Sequence, residues 1–382
     1  MKQSNTRRAF LRHVCAAGAS TVLLPAFFRA NAQTPKLNVL VLGGTNFLGP
    51  AIVNALVEKN HQVTLFNRGI TNPSLFPLLS KIRGDRENGI DGYQDLLNEN
   101  RIWDVVIDVW PENPNFVEEA ARVLRSRTRH YMFVSSTAVY RDYRELGITE
   151  EAALRESEVF EEGNYNANKV LCEQIVAQNF GSNFTIVRPG AIVGDRDPGP
   201  FGTYLLDRIV NRSQILAPDS NDPVQFVDAA DVGRFLTQCG EQNISGVYNL
   251  VGPAETLGYK DMLNNIRNTL NSNVEIIWIH PEFLANTARL EPFLDIPFWI
   301  PLETDPEPGF YQVSNAKAVQ FGLHFTDLSE TVRISYDSVE QNRFIPESDT
   351  DSAFGISNDR EDEIISLWTN RTTNENPTIS QA

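Results

Sequence analysis

The apolar run Leu37-Asn38-Val39-Leu40-Val41-Leu42 passes without a spacer into Gly43-Gly44-Thr45-Asn46-Phe47-Leu48-Gly49, and an amphipathic stretch follows over residues 51–59. A strand that turns through glycines straight into a helix leaves few choices of fold, because the helix must cross back over a sheet whose next strand runs parallel. The glycines let the backbone bend sharply, and the first N–H groups of the helix then face whatever lies at the strand end, an arrangement suited to a pyrophosphate. The unit recurs. Apolar segments at 61–66, 105–109, 130–134 and 184–187 alternate with amphipathic ones at 116–125 and 165–178. The expected class is α/β, a doubly wound parallel sheet over residues 36–193 with returning segments from 225–252. After Gly194 the rhythm breaks into stretches rich in Pro, Asp and aromatic residues, such as 195–201 and 292–308, which read as a smaller, interleaved C-terminal substrate lobe over 194–345. Residues 346–382 are polar and acid-rich apart from a helix-like 361–368, and read as a loosely ordered tail.

The 382 residues, 41% of them hydrophobic, suffice for a large core in one domain or two closely joined ones. The formal net charge is −16 although Lys2, Arg7, Arg8, Arg12 and Arg29 crowd the acid-free first 32 residues, so the remainder is more acidic still. Such a body repels phosphate backbones and anionic lipid, which disfavours nucleic acid as a partner. The leading segment itself reads as an address. Thr6-Arg7-Arg8-Ala9-Phe10-Leu11-Arg12 is a twin-arginine pattern, residues 14–28 are mostly apolar, and Ala30-Asn31-Ala32 fits small-residue cleavage after Ala32. The expectation is a signal peptide over residues 1–32, export in the folded state, a periplasmic or extracellular location, and no stable membrane association once the signal is removed. The alternative is a basic arm or anchor, although the apolar stretch holds Pro25 and is short for a span. Cys172 and Cys239 read as buried thiols, and the histidines show no paired spacing, so no metal site is expected.

Two further motifs bear on chemistry. Tyr165 and Lys169 are four residues apart, which on a helix sets both side chains on one face, where an ammonium favours the ionised form of a phenol. Val134-Ser135-Ser136-Thr137-Ala138-Val139-Tyr140 is an apolar strand end followed by hydroxyls, at the edge where a parallel sheet presents its ligands. Together with the glycine turn they point to hydride chemistry on a nicotinamide cofactor.

With Val187-Arg188-Pro189-Gly190, Gln225-Phe226-Val227-Asp228-Ala229-Ala230-Asp231-Val232 and Gly246-Val247-Tyr248-Asn249-Leu250 added, residues 36–340 resemble the extended short-chain dehydrogenase/reductases, the NAD-dependent epimerase/dehydratase family with its Rossmann fold. The glycine turn and Phe66-Asn67-Arg68-Gly69 look most like an atypical branch that includes chloroplast stem-loop-binding proteins. The resemblance implies Tyr165 as the base, Lys169 as the group that favours its phenolate and bonds the nicotinamide ribose, and Ser136 as the hydroxyl that orients the reacting oxygen, with Thr137 as the fallback. It implies cofactor contacts from Gly43, Thr45, Asn46, Phe47, Leu48, Gly49, Asn67, Arg68, Asp85 and Lys169. Asp108 is either a cofactor-edge residue or a cap for the loop that follows it.

Two departures qualify the match. Asn46 replaces the usual middle glycine, and Asn67-Arg68 stands where an acid commonly grips the ribose of NAD. A guanidinium favours a 2′-phosphate, so NADP is expected over NAD. The positions after Ser136 are Thr137 and Ala138, without the carboxylate that dehydratases carry there, which leaves oxidation/reduction or epimerisation. The implied function is an NAD(P)-dependent oxidoreductase or epimerase acting on a sugar, nucleotide-sugar or similar hydroxylated small molecule. The alternative is a non-catalytic NAD(P)-binding sensor or scaffold of the atypical branch. A homodimer is compatible with the way relatives pair.

Overall fold

The computed structural model describes residues 35–109, 113–343 and 354–375, so the twin-arginine segment lies outside the described residues. In chain order the first elements are β1 (Asn38–Leu42), α1 (Leu48–Glu58), β2 (Gln62–Asn67), β3 (Ser80–Arg83), α2 (Gln94–Asn98), β4 (Trp103–Asp108), α3 (Pro114–Leu124), β5 (Thr128–Val134), α4 (Tyr165–Phe180) and β6 (Phe184–Pro189). There follow β7 (Ala191–Val193), α5 (Asp207–Asn211), β8 (Gln214–Pro218), β9 (Pro223–Asp228), α6 (Ala229–Gln242), β10 (Gly246–Leu250), β11 (Gly252–Gly258) and α7 (Tyr259–Thr269). The last are β12 (Glu275–Ile279), α8 (Pro281–Asn286), α9 (Ala316–Gln320), α10 (Leu328–Glu340) and α11 (Asn358–Glu375).

The expected doubly wound sheet is present: seven parallel strands in the order β3-β2-β1-β4-β5-β6-β10. The period of two in each strand divides the core. Val39, Val41, Val105 and Ile107 pack with Ile52 and Val53 of α1 and Phe235 of α6 on one face. Leu40, Leu42 and Val106 pack with Val117 and Ala120 of α3 and Cys172 of α4 on the other. A strand buried on both faces must be apolar at every position, which is why β1 reads as a near-continuous hydrophobic run. Winding reverses between β1 and β4, and the carboxyl ends of those strands form the topological switch point where such sheets bind ligands.

The later segments form a second core around Phe201, Ile215, Met262, Ile279, Trp299 and Ile364, with β8 pairing β12 in parallel and β9 lying between β7 and β11. Motif residues stitch these parts to the sheet. Asp228 accepts from Ala230 N at 2.8 Å and Thr331 Oγ1 at 2.7 Å, and Asp231 accepts from Thr326 N at 2.9 Å. The reading of a loosely ordered tail is corrected over Asn358–Glu375, which is a helix docked by Ile364, Ile365 and Trp368, the last packing edge-on to Phe283 with ring centroids 5.0 Å apart. Its Glu361 is fully buried and accepts from Leu216 N at 2.6 Å and Arg208 Nε at 3.2 Å. The helix-like 361–368 was legible, but polar composition concealed the helix's full length and its docking, because the buried stripe is narrow and includes a charge. Cys172 and Cys239 are both buried, as their apolar surroundings in sequence suggest.

Two buried histidines are expected to make the fold acid-sensitive. Thr185 Oγ1 donates to Ile244 O at 2.6 Å and therefore accepts from His130 Nε2 at 2.7 Å. His61 Nδ1 accepts from Leu37 N at 3.3 Å, a bond that needs the neutral ring. Burial pushes the pKa of both down, in His61 against the pull of Glu241 and in His130 against that of Asn243. A base with a depressed folded-state pKa contributes stability that is complete above the ordinary histidine value and lost as pH falls below it. The melting temperature is expected to fall from about pH 7 to about pH 5. His130→Gln should flatten that slope, and an unchanged slope would mean that other groups set it.

Candidate active site

Phe47 precedes α1, no side chain caps the helix, and its first turn holds no acidic residue, so the N-terminal N–H groups are left for an anion. Gly43 has φ +110°, and a Cβ there would lie 2.6 Å from Val109 Cγ2 across the switch point. A Cβ on Gly49 would lie 2.6 Å from Gly44 Cα, so the helix start rests directly on the turn. Asn67 fixes the far side. Its Nδ2 donates to Gly43 O at 2.9 Å and its Oδ1 accepts from Gly69 N at 2.9 Å, tying the end of β2 to the glycine turn.

These parts enclose one cavity of ≈ 450 Å³, whose walls include Gly43, Thr45, Asn46, Phe47, Leu48, Gly49, Asn67, Arg68 and Asp85. Every residue expected around the adenosine and pyrophosphate thus converges, apart from the ribose partner Lys169. Asn46 is exposed on the turn and forms part of the cavity wall. Asp85 begins a 3-10 turn with Oδ1 accepting from Glu87 N at 3.1 Å while its residue forms part of the wall. Arg68 Nη1 lies 3.3 Å from Glu87 Oε1 at the half-exposed rim. Arg83 approaches from the next strand, its guanidinium 3.4 Å from where a Gly69 Cβ would stand.

Asp108 does not line the cavity, so the cofactor-edge role expected of it is corrected, while the loop that was its alternative role, at 110–112, lies outside the described residues. Its carboxylate is buried and takes a bidentate bond from Arg86 at 2.7 and 3.0 Å, and a third from Tyr131 OH at 2.7 Å. The pair anchors residues 84–86, part of the cavity wall, to β4. Sequence gave no sign of this, because Arg86 sits in an apparently exposed Arg-Gly-Asp-Arg turn.

The hydroxyl, phenol and amine lie beyond that cavity, toward β5 and β6. Ser136 follows β5 and its Oγ accepts from Ala138 N at 3.1 Å, capping a short 3-10 turn. Thr137, the fallback, gives its carbonyl to Tyr143 OH at 2.8 Å. Tyr165 is the first residue of α4, with Asn164 as the cap that accepts from Ala167 N at 3.2 Å. The tyrosine is 37% exposed and Lys169 only 2%, so the phenol-bearing residue is accessible while the amine is buried. Lys169 Nζ is 5.6 Å from the Tyr165 ring centroid, 4.9 Å from that of Phe133, and donates to Val134 O at 2.7 Å. A cation fixed on the buried side of an accessible phenol is the arrangement that favours phenolate.

Among the described residues, no cluster of His, Cys, Asp and Glu suits a metal ion. Fold and cradle define a Rossmann-type protein whose glycine turn and helix start fit a dinucleotide pyrophosphate. Residues 103–250 match the sequence model of the NAD dependent epimerase/dehydratase family. Over 239 residues the chain is 28% identical to the chloroplast stem-loop binding protein of 41 kDa b from Arabidopsis thaliana, a match spanning 58% of this chain and 60% of that protein. A UDP-glucose 4-epimerase structure superposes with a TM-score of 0.60 at 14% identity, covering 81% of this chain and 99% of that one. An enzyme of Bordetella bronchiseptica, WbmH, in complex with NAD+, gives 0.59 at 13% identity over 80% and 99%. The family model matches the segment 103–250, and the two solved structures, at 13–14% identity, show a shared fold.

Proposed function

We propose that the protein is an NAD(P)-dependent oxidoreductase or epimerase that acts on a sugar, nucleotide-sugar or similar hydroxylated small molecule. The observation that carries this reading is Lys169, buried at 5.6 Å from the accessible Tyr165 ring, on a helix beside the carboxyl edge of the sheet that holds the glycine cradle. The neighbouring fold is found in a protein solved with NAD+, which supports a nicotinamide cofactor. When bound, that cofactor supplies a hydride acceptor and donor. Tyr165 as phenolate takes the proton of a substrate hydroxyl as the carbonyl forms, and returns it in the reverse direction. Lys169 holds positive charge against the phenolate, and Ser136 orients the reacting oxygen. No carboxylate stands at Thr137 or Ala138 to shuttle a proton for loss of water, which favours redox or epimerisation chemistry over dehydration.

We take NADP as the preferred form. Arg68 and Arg83 both approach the ribose end of the cradle, and Glu87 is the opposing charge that a 2′-phosphate displaces. Either dinucleotide at 100 times its Kd should stabilise the fold by ~2.7 kcal/mol, read as a rise in melting temperature. NADP should reach half-effect at the lower concentration, and Arg68→Ala should remove that advantage. No rise with either compound would sink the cofactor reading. Export by the twin-arginine route to a periplasmic or extracellular site, a small-molecule rather than nucleic-acid partner, and a homodimer complete the proposal, the second supported by the charge of −16.

A further inference from the structure

We propose that Arg188 is a positioning residue that sets the placement of Tyr165 and Lys169 against Ser136, an inference that rests on the reading of Tyr165 as the base. Arg188 projects from β6 and is 3% exposed, an expensive place for a guanidinium unless its donors are met. They are met from several directions. Nε and Nη2 donate to the two carboxylate oxygens of Glu173 at 2.9 and 2.7 Å, a fork that fixes both distance and plane. Nη1 donates to Tyr140 OH at 3.2 Å and to Glu150 O at 3.2 Å.

Those partners carry the candidate catalytic groups. Glu173 lies on α4 one turn beyond Lys169 and two beyond Tyr165, on the same helical face, so anchoring it sets the rotation and depth of the whole helix. Tyr140 closes the 3-10 turn that begins after Ser136, and its own hydroxyl donates to Asn249 Oδ1 at 2.6 Å on β10. One guanidinium therefore joins the helix bearing phenol and amine to the turn bearing the orienting hydroxyl. A misplacement of about 1 Å in such a constellation costs on the order of 100-fold in rate, so a rigid joint behind it has a function beyond stability. Lysine cannot reproduce a planar fork.

The test uses the full-length protein and needs no substrate. In near-ultraviolet titration the wild type should show a phenolate step below the ordinary tyrosine value of ~10. Tyr165→Phe should abolish that step, which assigns it. Arg188→Lys and Tyr140→Phe, which both leave every formal charge in place, should reduce phenolate on the rising limb by roughly 3-fold or more, moving the step up by about half a pH unit. NADP binding by thermal shift should stay within about 2-fold, because the walls of the adenosine and pyrophosphate cavity contain none of the network residues. Should Arg188→Lys fail to fold, Tyr140→Phe alone decides. Variants with an unmoved step, or with dinucleotide binding lost in parallel, would overturn the positioning role and leave the base reading intact. A wild type without the low step would remove the base reading itself, and the inference with it.

Discussion

Glu361→Ala is expected to lower the free energy of unfolding by ~3–5 kcal/mol, the usual consequence of removing one partner from a buried ion pair. The wild-type carboxylate is fully buried and meets Arg208, Arg212 and the backbone N–H of Leu216. Alanine leaves the largely buried Arg208 guanidinium and the Leu216 amide in an apolar setting without that acceptor, and each uncompensated group adds its own desolvation cost. Urea denaturation provides the measurement, with Glu361→Gln as the partner variant, since an amide oxygen still accepts from Leu216 N and should lose less. A loss under about 1 kcal/mol in Glu361→Ala would place this clamp among pairs that contribute little.

Gly49→Ala should weaken dinucleotide binding about 10- to 100-fold. The added methyl would sit 2.6, 2.7 and 2.9 Å from Gly44 Cα, C and N, all backbone atoms without a rotamer that lets them yield. Either α1 retreats from the turn or the turn opens, and both move the helix N–H groups away from the bound pyrophosphate. Overpacking of this kind costs ~1–3 kcal/mol, which corresponds to the stated range when it falls on a binding geometry. Asn54→Ala, exposed on the same helix, is the control and should bind within about 2-fold of wild type. Equal affinities in Gly49→Ala and wild type would show that the pyrophosphate does not rest on this turn.

The nucleotide half of the site was legible because it is local. Residues 43–49 carry strand end, turn and helix start in one stretch, and the backbone conformation that glycine permits there is the cradle itself. Tyr165 and Lys169 were legible for the same reason, being one turn apart on one helix. Arg188 is a charge inside an otherwise apolar strand, which is a signal of burial and pairing, but its partners come from α4, from the turn after β5 and from residue 150, and spacing along the chain names none of them. Asp108 misled as a cofactor-edge candidate because a strand-end carboxylate looks the same in sequence whether it faces a ligand or an arginine from another turn. Within 346–382 only the helix-like 361–368 was legible; the composition is otherwise that of a loose tail, while α11 needs only Glu361, Ile364, Ile365 and Trp368 to dock.

Leu216 and Glu361 stand 145 positions apart, and this separation governs how the protein is made. While a nascent chain is still threaded through the ribosomal tunnel, Arg208 of α5, Arg212 and β8 have emerged but the carboxylate that neutralises the arginines has not. The sheet around β1 and β4 can assemble early, whereas the second core stays ajar until residues 358–375 are released, and contacts this distant in sequence form slowly. Chaperones that sense incomplete apolar surface should therefore linger on this half of the molecule, and a premature stop codon anywhere before α11 should yield a product that proteases clear.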